Sequence, residues 1–503
     1  MDVLHNLLYG FSVCLEPKNL LFCFIGCLFG TMIGVLPGLG PTGAMALLLP
    51  ITFKIGPVAS TIMLAGIYYG AMYGGSTTSI LVNIPGESAS IVTCLDGYQM
   101  ARNGRAGPAL GMAAFASFIA GTVGLIGLSV FATPLAEFGL RFGPPEYTAL
   151  ILMGLALVVY LSSGSILKTV MMGALGIFIG CIGNDDLEGI PRMTFGSMTL
   201  QDGLGLVPMS MGLFGLSEVL INIESTKDIV VFKTKIKHLY PSLEDWVKCK
   251  WPLLRGSLLG FFVGLLPGGH PIIASFLSYT TEKRVSNHPE EFGHGAIEGV
   301  AGPEAANNSA TAGNFIPLLT LGLPMNPTMA LMFGALLIQG LQPGPFLLKE
   351  HPDLFWGLTS SMYVGNVMLV ILNLPLIPLW VQLLKVPHVI LFPLILLFCI
   401  IGSYSMGNNV VEVLIMMIAG IMGYFLRKLG YDVAPLMLAF VLGPMFEGNL
   451  RQSLLMSHGS FLIFMNRPIS AVFILLTALV VFTACIPLFR KRKVALDTVA
   501  RED

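Results

Sequence analysis

Hydroxyl and amide side chains gather at two places where this chain carries almost no charge. Ser76, Thr77, Thr78, Ser79 and Asn83 form the first group, and Asn307, Asn308, Ser309, Thr311, Asn314 and Asn326 the second. Neutral oxygens and amides can ligate a carboxylate or a small cation without being charged themselves, although a Ser or Thr in a helix can equally bond its own backbone. Two carboxylates stand beside them: Glu304, followed by a long uncharged run, and Glu87, directly after Pro85-Gly86. Ionisable residues in apolar segments are functional suspects by default. Glu87, Glu304, Thr311 and Asn314 are accordingly the candidates for holding a small cation, either Na+ or H+. Sodium suits oxygens and unwound carbonyls, whereas a proton requires a titrating carboxylate such as Glu304 or Glu87. No cofactor is implied. The eight histidines lack metal-ligand or catalytic spacing, and the eight cysteines lie scattered without a C-x-x-C pair, reading as small buried hydrophobes. No enzyme chemistry is indicated, and no G-x-x-x-x-G-K-[ST] phosphate loop is present.

Those side chains stand beside a repeated backbone signal. GTMIGVLPGLGP (Gly30 to Pro41) matches GFFVGLLPGGHP (Gly260 to Pro271) without a gap, Gly30, Gly34, Leu36, Pro37, Gly38 and Pro41 each recurring 230 residues later. A weaker pair, GGSTTSILVNIPGES (Gly74 to Ser88) and GNFIPLLTLGLPMNP (Gly313 to Pro327), aligns 239 residues apart through Gly74/Gly313 and Pro85/Pro324. Proline removes a backbone donor and clashes with the preceding turn, so Leu-Pro-Gly within an apolar run breaks a helix. In lipid, freed peptide groups cost several kcal/mol unless they are buried in protein or face water. Each break therefore lines a cavity. Pro41 and Pro271 suit the first turn of a new helix, whose N-terminus offers free N–H groups and about half a positive charge. Two such ends form a site for an anion at the interface of two repeats. The candidate substrate-binding residues are Pro37, Gly38, Gly40, Thr42, Ser76, Thr77, Thr78, Asn83 and Gly86 in one half, with Gly268, Gly269, His270, Asn307, Asn308, Ser309 and Asn326 in the other. His270 stands inside the second break where the first has Gly40, while Asp96-Gly97-Tyr98 and Arg102 to Arg105 read as a polar loop.

The elements that must hold these residues are membrane helices. Of 503 residues, 54% are hydrophobic and 11% charged, and the mean hydropathy is +0.80. A soluble domain carries about 25% charged residues, so lipid is the solvent for most of this chain. Long runs lack Asp, Glu, Lys and Arg altogether, among them Asn19 to Phe53, Ile55 to Gly86, Ala106 to Ala136 and Ala305 to Leu348. A helical crossing takes about 20 residues, and Ala305 to Leu348 is long enough for two. The expected fold is an all-α integral membrane protein of roughly 11–12 membrane segments. It comprises two repeats, read as inverted, each with discontinuous helices or re-entrant hairpins.

Charge placement divides the chain. Residues 1–221 form the first membrane repeat, 222–255 a basic linker, 256–489 the second repeat with additional helices, and 490–503 a tail opening on Arg490 to Lys493. Loops rich in Lys and Arg stay cytoplasmic, which places linker and tail there. No cleavable signal peptide is indicated, and the net charge of −1 suggests no nucleic acid.

With these motifs in hand, the chain resembles the large membrane subunit of the tripartite tricarboxylate transporters, the TctA family. The resemblance rests on GVLPGLGPTGAMALLLP, YGGSTTSILVNIPGESASIVTCLDGYQMARNGRAG and EGVAGPEAANNSATAGNFIPLLTLGLP. It implies a permease of the bacterial inner membrane that imports di- or tricarboxylates such as citrate. Its implied partners are a small membrane subunit and a periplasmic solute-binding protein, and its implied drive is an ion gradient. Gly269-His270 and Met325-Asn326 depart from the residues usual at those places. The alternative is a stand-alone ion-coupled exchanger or channel without a binding protein.

Overall fold

The computed structural model describes residues 3–36, 38–161, 165–185, 187–224, 239–383, 386 and 388–499. They are mostly helical; a two-stranded pairing of Gly183–Asn184 with Pro191–Arg192 provides the strands among them. Among the described residues, seven helices are long and apolar enough to cross a bilayer: Pro17–Val35, Ala106–Gly139, Pro144–Leu161, Leu206–Glu224, Pro352–Asn373, Ile390–Gly407 and Val410–Lys428. This is an all-α, multi-pass membrane protein.

The chain separates into two compact units, residues 1–140 with 204–430, and residues 141–203 with 431–503. All candidate site residues lie in the first. Its helices that matter here are α1 (Pro17–Val35), α2 (Gly40–Thr52), α3 (Pro57–Val82), α4 (Ile91–Arg102), α5 (Ala106–Gly139), α6 (Leu243–Gly264), α7 (Pro271–Val285), α8 (Glu298–Leu321), α9 (Pro327–Ile338) and α10 (Pro352–Asn373). The second unit contains Ile166–Gly180 and Ala434–Met456, packed on one another through Gly176 and Gly180. Its polar edge is an ion cluster in which Asp185 meets Arg192 and Arg451.

Two helix pairs form the centre of the first unit, and they are built alike. A methyl at Gly26, Gly30 or Gly34 of α1 would overlap the backbone carbonyl of Met63, Ile67 or Ala71 of α3. A methyl at Gly256, Gly260 or Gly264 of α6 would overlap that of Gly302, Ala306 or Ala310 of α8. The glycines are related by 230 residues and their partners by 239, the two offsets found in the sequence. Without side chains between them the backbones approach closely, and dispersion replaces the hydrophobic drive that lipid cannot supply. The surroundings exchange accordingly: α5 packs on α8, and α10 packs on α3.

The helix breaks recur at the same offsets. Gly38 and Gly268 both have positive φ (+94° and +75°), a conformation open to glycine. α3 ends on Asn83 and α8 on Gly322, each left-handed (φ 59° and 69°), and each is followed two residues later by proline. Four residues after each cap stands an extended N-cap whose side chain accepts a backbone N–H: Glu87 from Ala89 (2.5 Å) and Asn326 from Met329 (2.9 Å). After the breaks, α2 packs on α9, whereas α7 packs on the Ser88–Ser90 turn and α4.

The uncharged run from Ala305 to Leu348 holds most of one long helix, which begins at Glu298, and one of 12 residues, the two separated by Gly322, Pro324 and the Asn326 cap. Two expectations need correction. The polar loop expected at Asp96 to Tyr98 is the middle of α4. Asp96 is fully buried there, accepting the N–H groups of Gly293, Gly295 and Ala296 (2.8, 2.8 and 2.9 Å) and the Tyr279 hydroxyl (2.9 Å). Partners 183 to 200 residues away satisfy its charge. The linker is only partly a connection: residues 225–238 lie outside the described residues, and 243–255 are the opening turns of α6. A reciprocal Ser242–Asp245 cap starts that helix, and Arg105 bonds Asp245 (2.5 Å).

Candidate functional site

α3 and α8 are 26 and 24 residues long, yet neither has the apolarity of a simple membrane span. Their glycines, hydroxyls and amides lower it. Both are buried along almost their whole length, so these polar groups must be satisfied inside the protein. On α8, Glu304, Asn307, Asn308, Thr311 and Asn314 follow near-helical spacing and hold one side of the helix.

The first centre surrounds Glu304, which is 1% exposed. Its carboxylate accepts hydrogen bonds from Ser76 of α3 (2.7 Å), Thr93 of α4 and Ser117 of α5 (3.4 Å). Asn308 donates to the Ser117 oxygen (2.7 Å) and to the Glu304 carbonyl (3.1 Å). Four helices therefore meet on one carboxylate. Beside it lies a cavity lined by Ser76, Ser117, Thr77, Tyr73 and Asn373.

The second centre lies along the same side of α8. Asn307 donates to Glu87 (3.4 Å), while Asn314 and Asn326 both donate to the Tyr68 hydroxyl (3.1 and 3.2 Å). The pairs Glu87···Asn307 and Asn326···Tyr68 are counterparts: Asn326 stands 239 residues after Glu87, and Asn307 stands 239 after Tyr68. Each helix-break cap thus bonds the long helix of the other half. The side-chain oxygens of Asn307 and Asn314 and the Ser309 hydroxyl are buried without a hydrogen-bond partner. Buried amide oxygens in that condition cost about 1–3 kcal/mol each unless something fills them.

The remaining candidates fall around these centres. Thr42 bonds Thr328 (2.7 Å), joining α2 to α9. Thr78 donates to the Val35 carbonyl (2.6 Å) at the first break, and Thr311 to the Asn307 carbonyl (3.0 Å), so both hydroxyls serve backbone. Gly86 is pressed against the Gly34 carbonyl, and Gly269 against those of Val263 and Leu266. The Gly268 N–H bonds the Met325 carbonyl (3.1 Å), tying the two breaks of the second half together. His270 is the N-cap of α7, its backbone N–H on the Gly268 carbonyl (2.7 Å). Asn83 is exposed, Gly40 has open space around it, and Pro37 lies outside the described residues. Gly38 lies against the Glu218 carboxylate, itself paired with Arg427.

Sequence reasoning missed Tyr68, Thr93, Ser117 and the Glu218–Arg427 pair beside the first break. Only Thr93 had a cue, falling inside the second stretch quoted for the family resemblance. Ser117 and Tyr68 are ordinary residues in apolar runs, and nothing local marks their partners.

The model described as the tripartite tricarboxylate transporter TctA family matches residues 20–438. An Agrobacterium vitis protein named "Uncharacterized 52.8 kDa protein in TAR-I ttuC' 3'region" is 50% identical over 493 residues, 98% of each chain. A second from that organism, "Uncharacterized protein in TAR-II ttuC' 3'region", is 50% identical over 244 residues, 48% of this chain and all of its own length. No solved structure matches.

Proposed function

Given that this chain belongs to the tripartite tricarboxylate transporter TctA family, we propose that it is the permease subunit of a binding-protein-dependent secondary transporter importing citrate-like di- or tricarboxylates. It acts in the bacterial inner membrane with a small membrane subunit and a periplasmic solute-binding protein, and a sodium or proton gradient drives it. The linker and tail face the cytoplasm, and the two halves are inverted repeats.

One observation carries the reading: the helix-break caps Glu87 and Asn326 each reach the long helix of the other half. A carboxylate leaving water needs several kcal/mol of compensation. Helix ends after Gly38 and Gly268 and the hydroxyls of Thr77 and Ser309 supply donors without a fixed positive charge, and the amides of Asn307, Asn308 and Asn326 join them by exchanging their present protein acceptors for the substrate. The crossed caps also give a reason for alternating access, since moving one half against the other breaks both bonds together.

The test is uptake of a radiolabelled carboxylate panel into proteoliposomes holding this chain with its small subunit, with and without the binding protein, under imposed sodium or pH gradients. Gradient-driven uptake that needs the binding protein is expected. Removing the Asn308 amide with Asn308→Ala should then raise the half-saturating concentration about tenfold or more, the worth of one hydrogen bond to a charged group. Equal uptake by this chain alone would refute dependence on a binding protein.

A further inference from the structure

We infer that Glu304, Ser76, Thr93 and Ser117 form a sodium-binding site. The inference deepens the transporter reading and rests on it for its purpose, though not for its test.

Glu304 is a membrane-buried carboxylate whose hydrogen-bond partners, among the described residues, are three hydroxyls. No Lys, Arg or His pairs with it among the described ion pairs. An ionised carboxylate at that depth needs a counter-charge. Of the other buried acids of this unit, Glu282 is paired with Arg255 (2.9 Å), Asp245 with Arg105 (2.5 Å), and Asp96 holds three backbone N–H groups, which leaves Glu87 as the one rival.

The ligand set is larger than a proton can use. A protonated carboxyl needs one acceptor, whereas three hydroxyls from three helices converge on Glu304 and Asn308 steadies one of them. Hydroxyls are rotors. With the site empty they donate to the carboxylate; turned the other way, each offers a lone pair while the carboxylate supplies the charge. That is an all-oxygen set with one negative charge, suited to a hard cation. A monovalent ion leaves the site neutral, but a divalent one would leave a net positive charge away from water. Ser76 and Ser117 also line the adjoining cavity.

Glu87 is the weaker candidate, because its carboxylate already caps a turn through Ala89 (2.5 Å). Position supplies the purpose: α3, α4 and α5 come from the first half and α8 from the second, so an ion here draws the halves together.

The test needs neither substrate nor partner subunits. The purified full chain is unfolded thermally in detergent with NaCl, KCl or choline chloride at equal ionic strength, and 22Na+ binding is measured on the same preparations. A saturable, sodium-specific rise in Tm with 22Na+ binding is expected. Both should vanish in Glu304→Gln, and half-saturation should move to about tenfold higher sodium in Ser76→Ala. Should Glu304→Gln not fold, Thr93→Val, which keeps shape and removes one ligand oxygen, should shift the response likewise. Equal responses to all three salts overturn the proposal, as does unchanged sodium binding in Ser76→Ala and Thr93→Val. A response to pH through Glu304 without any response to sodium would assign the centre to a proton and overturn it too. Carboxylate uptake failing while sodium binding persists would instead sink the transporter reading and leave the site standing.

Discussion

Replacing Gly260 by Ala should destabilise the protein, while the same change at Gly43 should not. At Gly260 the new methyl would collide with the carbonyl oxygen, carbonyl carbon and Cα of Ala306. All three are backbone, so no rotamer change relieves the overlap and α6 must move away from α8. Overpacking of this kind costs about 1–3 kcal/mol. Against it stands the better helix propensity of Ala over Gly, about 1 kcal/mol. Moving α6 also loosens the neighbouring contacts at Gly256 and Gly264, so the collision wins by about 1–2 kcal/mol. At Gly43 the nearest atoms would be 3.7 to 3.9 Å away, ordinary contact distance. Only the propensity acts there, and Gly43→Ala should be neutral or stabilising by up to about 1 kcal/mol. Gly30→Ala, the counterpart of Gly260→Ala, meets the Ile67 carbonyl and should match it in sign and size. Reversible unfolding by SDS in mixed micelles, followed through the fluorescence of Trp246 and Trp251 on α6, measures all three. If Gly260→Ala unfolds like the wild type, or Gly30→Ala moves the other way, the close backbone seams do not hold the two helix pairs.

The two left-handed helix ends should respond oppositely to exchange: Asn83→Gly should gain up to about 1 kcal/mol, because glycine adopts φ 59° without strain. Gly322→Ala should lose about 1–2 kcal/mol, since φ is 69° and the methyl would overlap the Pro343 carbonyl; the same unfolding assay reads both. In the second unit, bonds from Arg451, the Leu187 N–H and Arg192 hold the Asp185 carboxyl well below the usual range. A depressed folded value stabilises above the unfolded pKa of about 4 and is lost as pH falls below it. Unfolding should therefore be unaffected by this group between pH 7 and 5, with the gap to Asp185→Asn closing only in stronger acid. A gap that closed already between pH 7 and 5 would contradict the geometry.

What could be read from the sequence was whatever glycine and proline encode, because their effects are local to the backbone. Gly30, Gly34, Gly260 and Gly264 were legible as a repeat and Leu-Pro-Gly as a helix break; the structure adds that the repeated glycines form a close backbone seam in each half. The longer offset, resting on Gly74/Gly313 and Pro85/Pro324 alone, coincides with the carbonyl partners of the glycines and with both left-handed caps. Side-chain chemistry was legible only as a list of suspects. Glu304 and Ser76 were both named, but nothing in one dimension shows that they bond each other across 228 residues. Asp96 was misread for the same reason. A charge in sequence reads as a solvated loop, and the donors that let it sit inside α4 come from a distant segment.

The paired caps separate what the fold dictates from what the site requires. Glu87 and Asn326 share a backbone conformation (φ −140°, ψ 166° and φ −150°, ψ 170°), and each accepts a backbone N–H. Any short acceptor would meet that need, and Asn or Asp is the usual choice at a helix N-cap. One half nevertheless has a longer carboxylate and the other an amide. Their partners differ in the same way: Asn307 facing Glu87 offers an amide donor, whereas Tyr68 facing Asn326 offers a hydroxyl that takes two amide N–H groups at once. Capping alone would have let both halves keep one residue pair. The capping role therefore does not account for the difference between these equivalent positions, one of which carries a carboxylate and the other an amide.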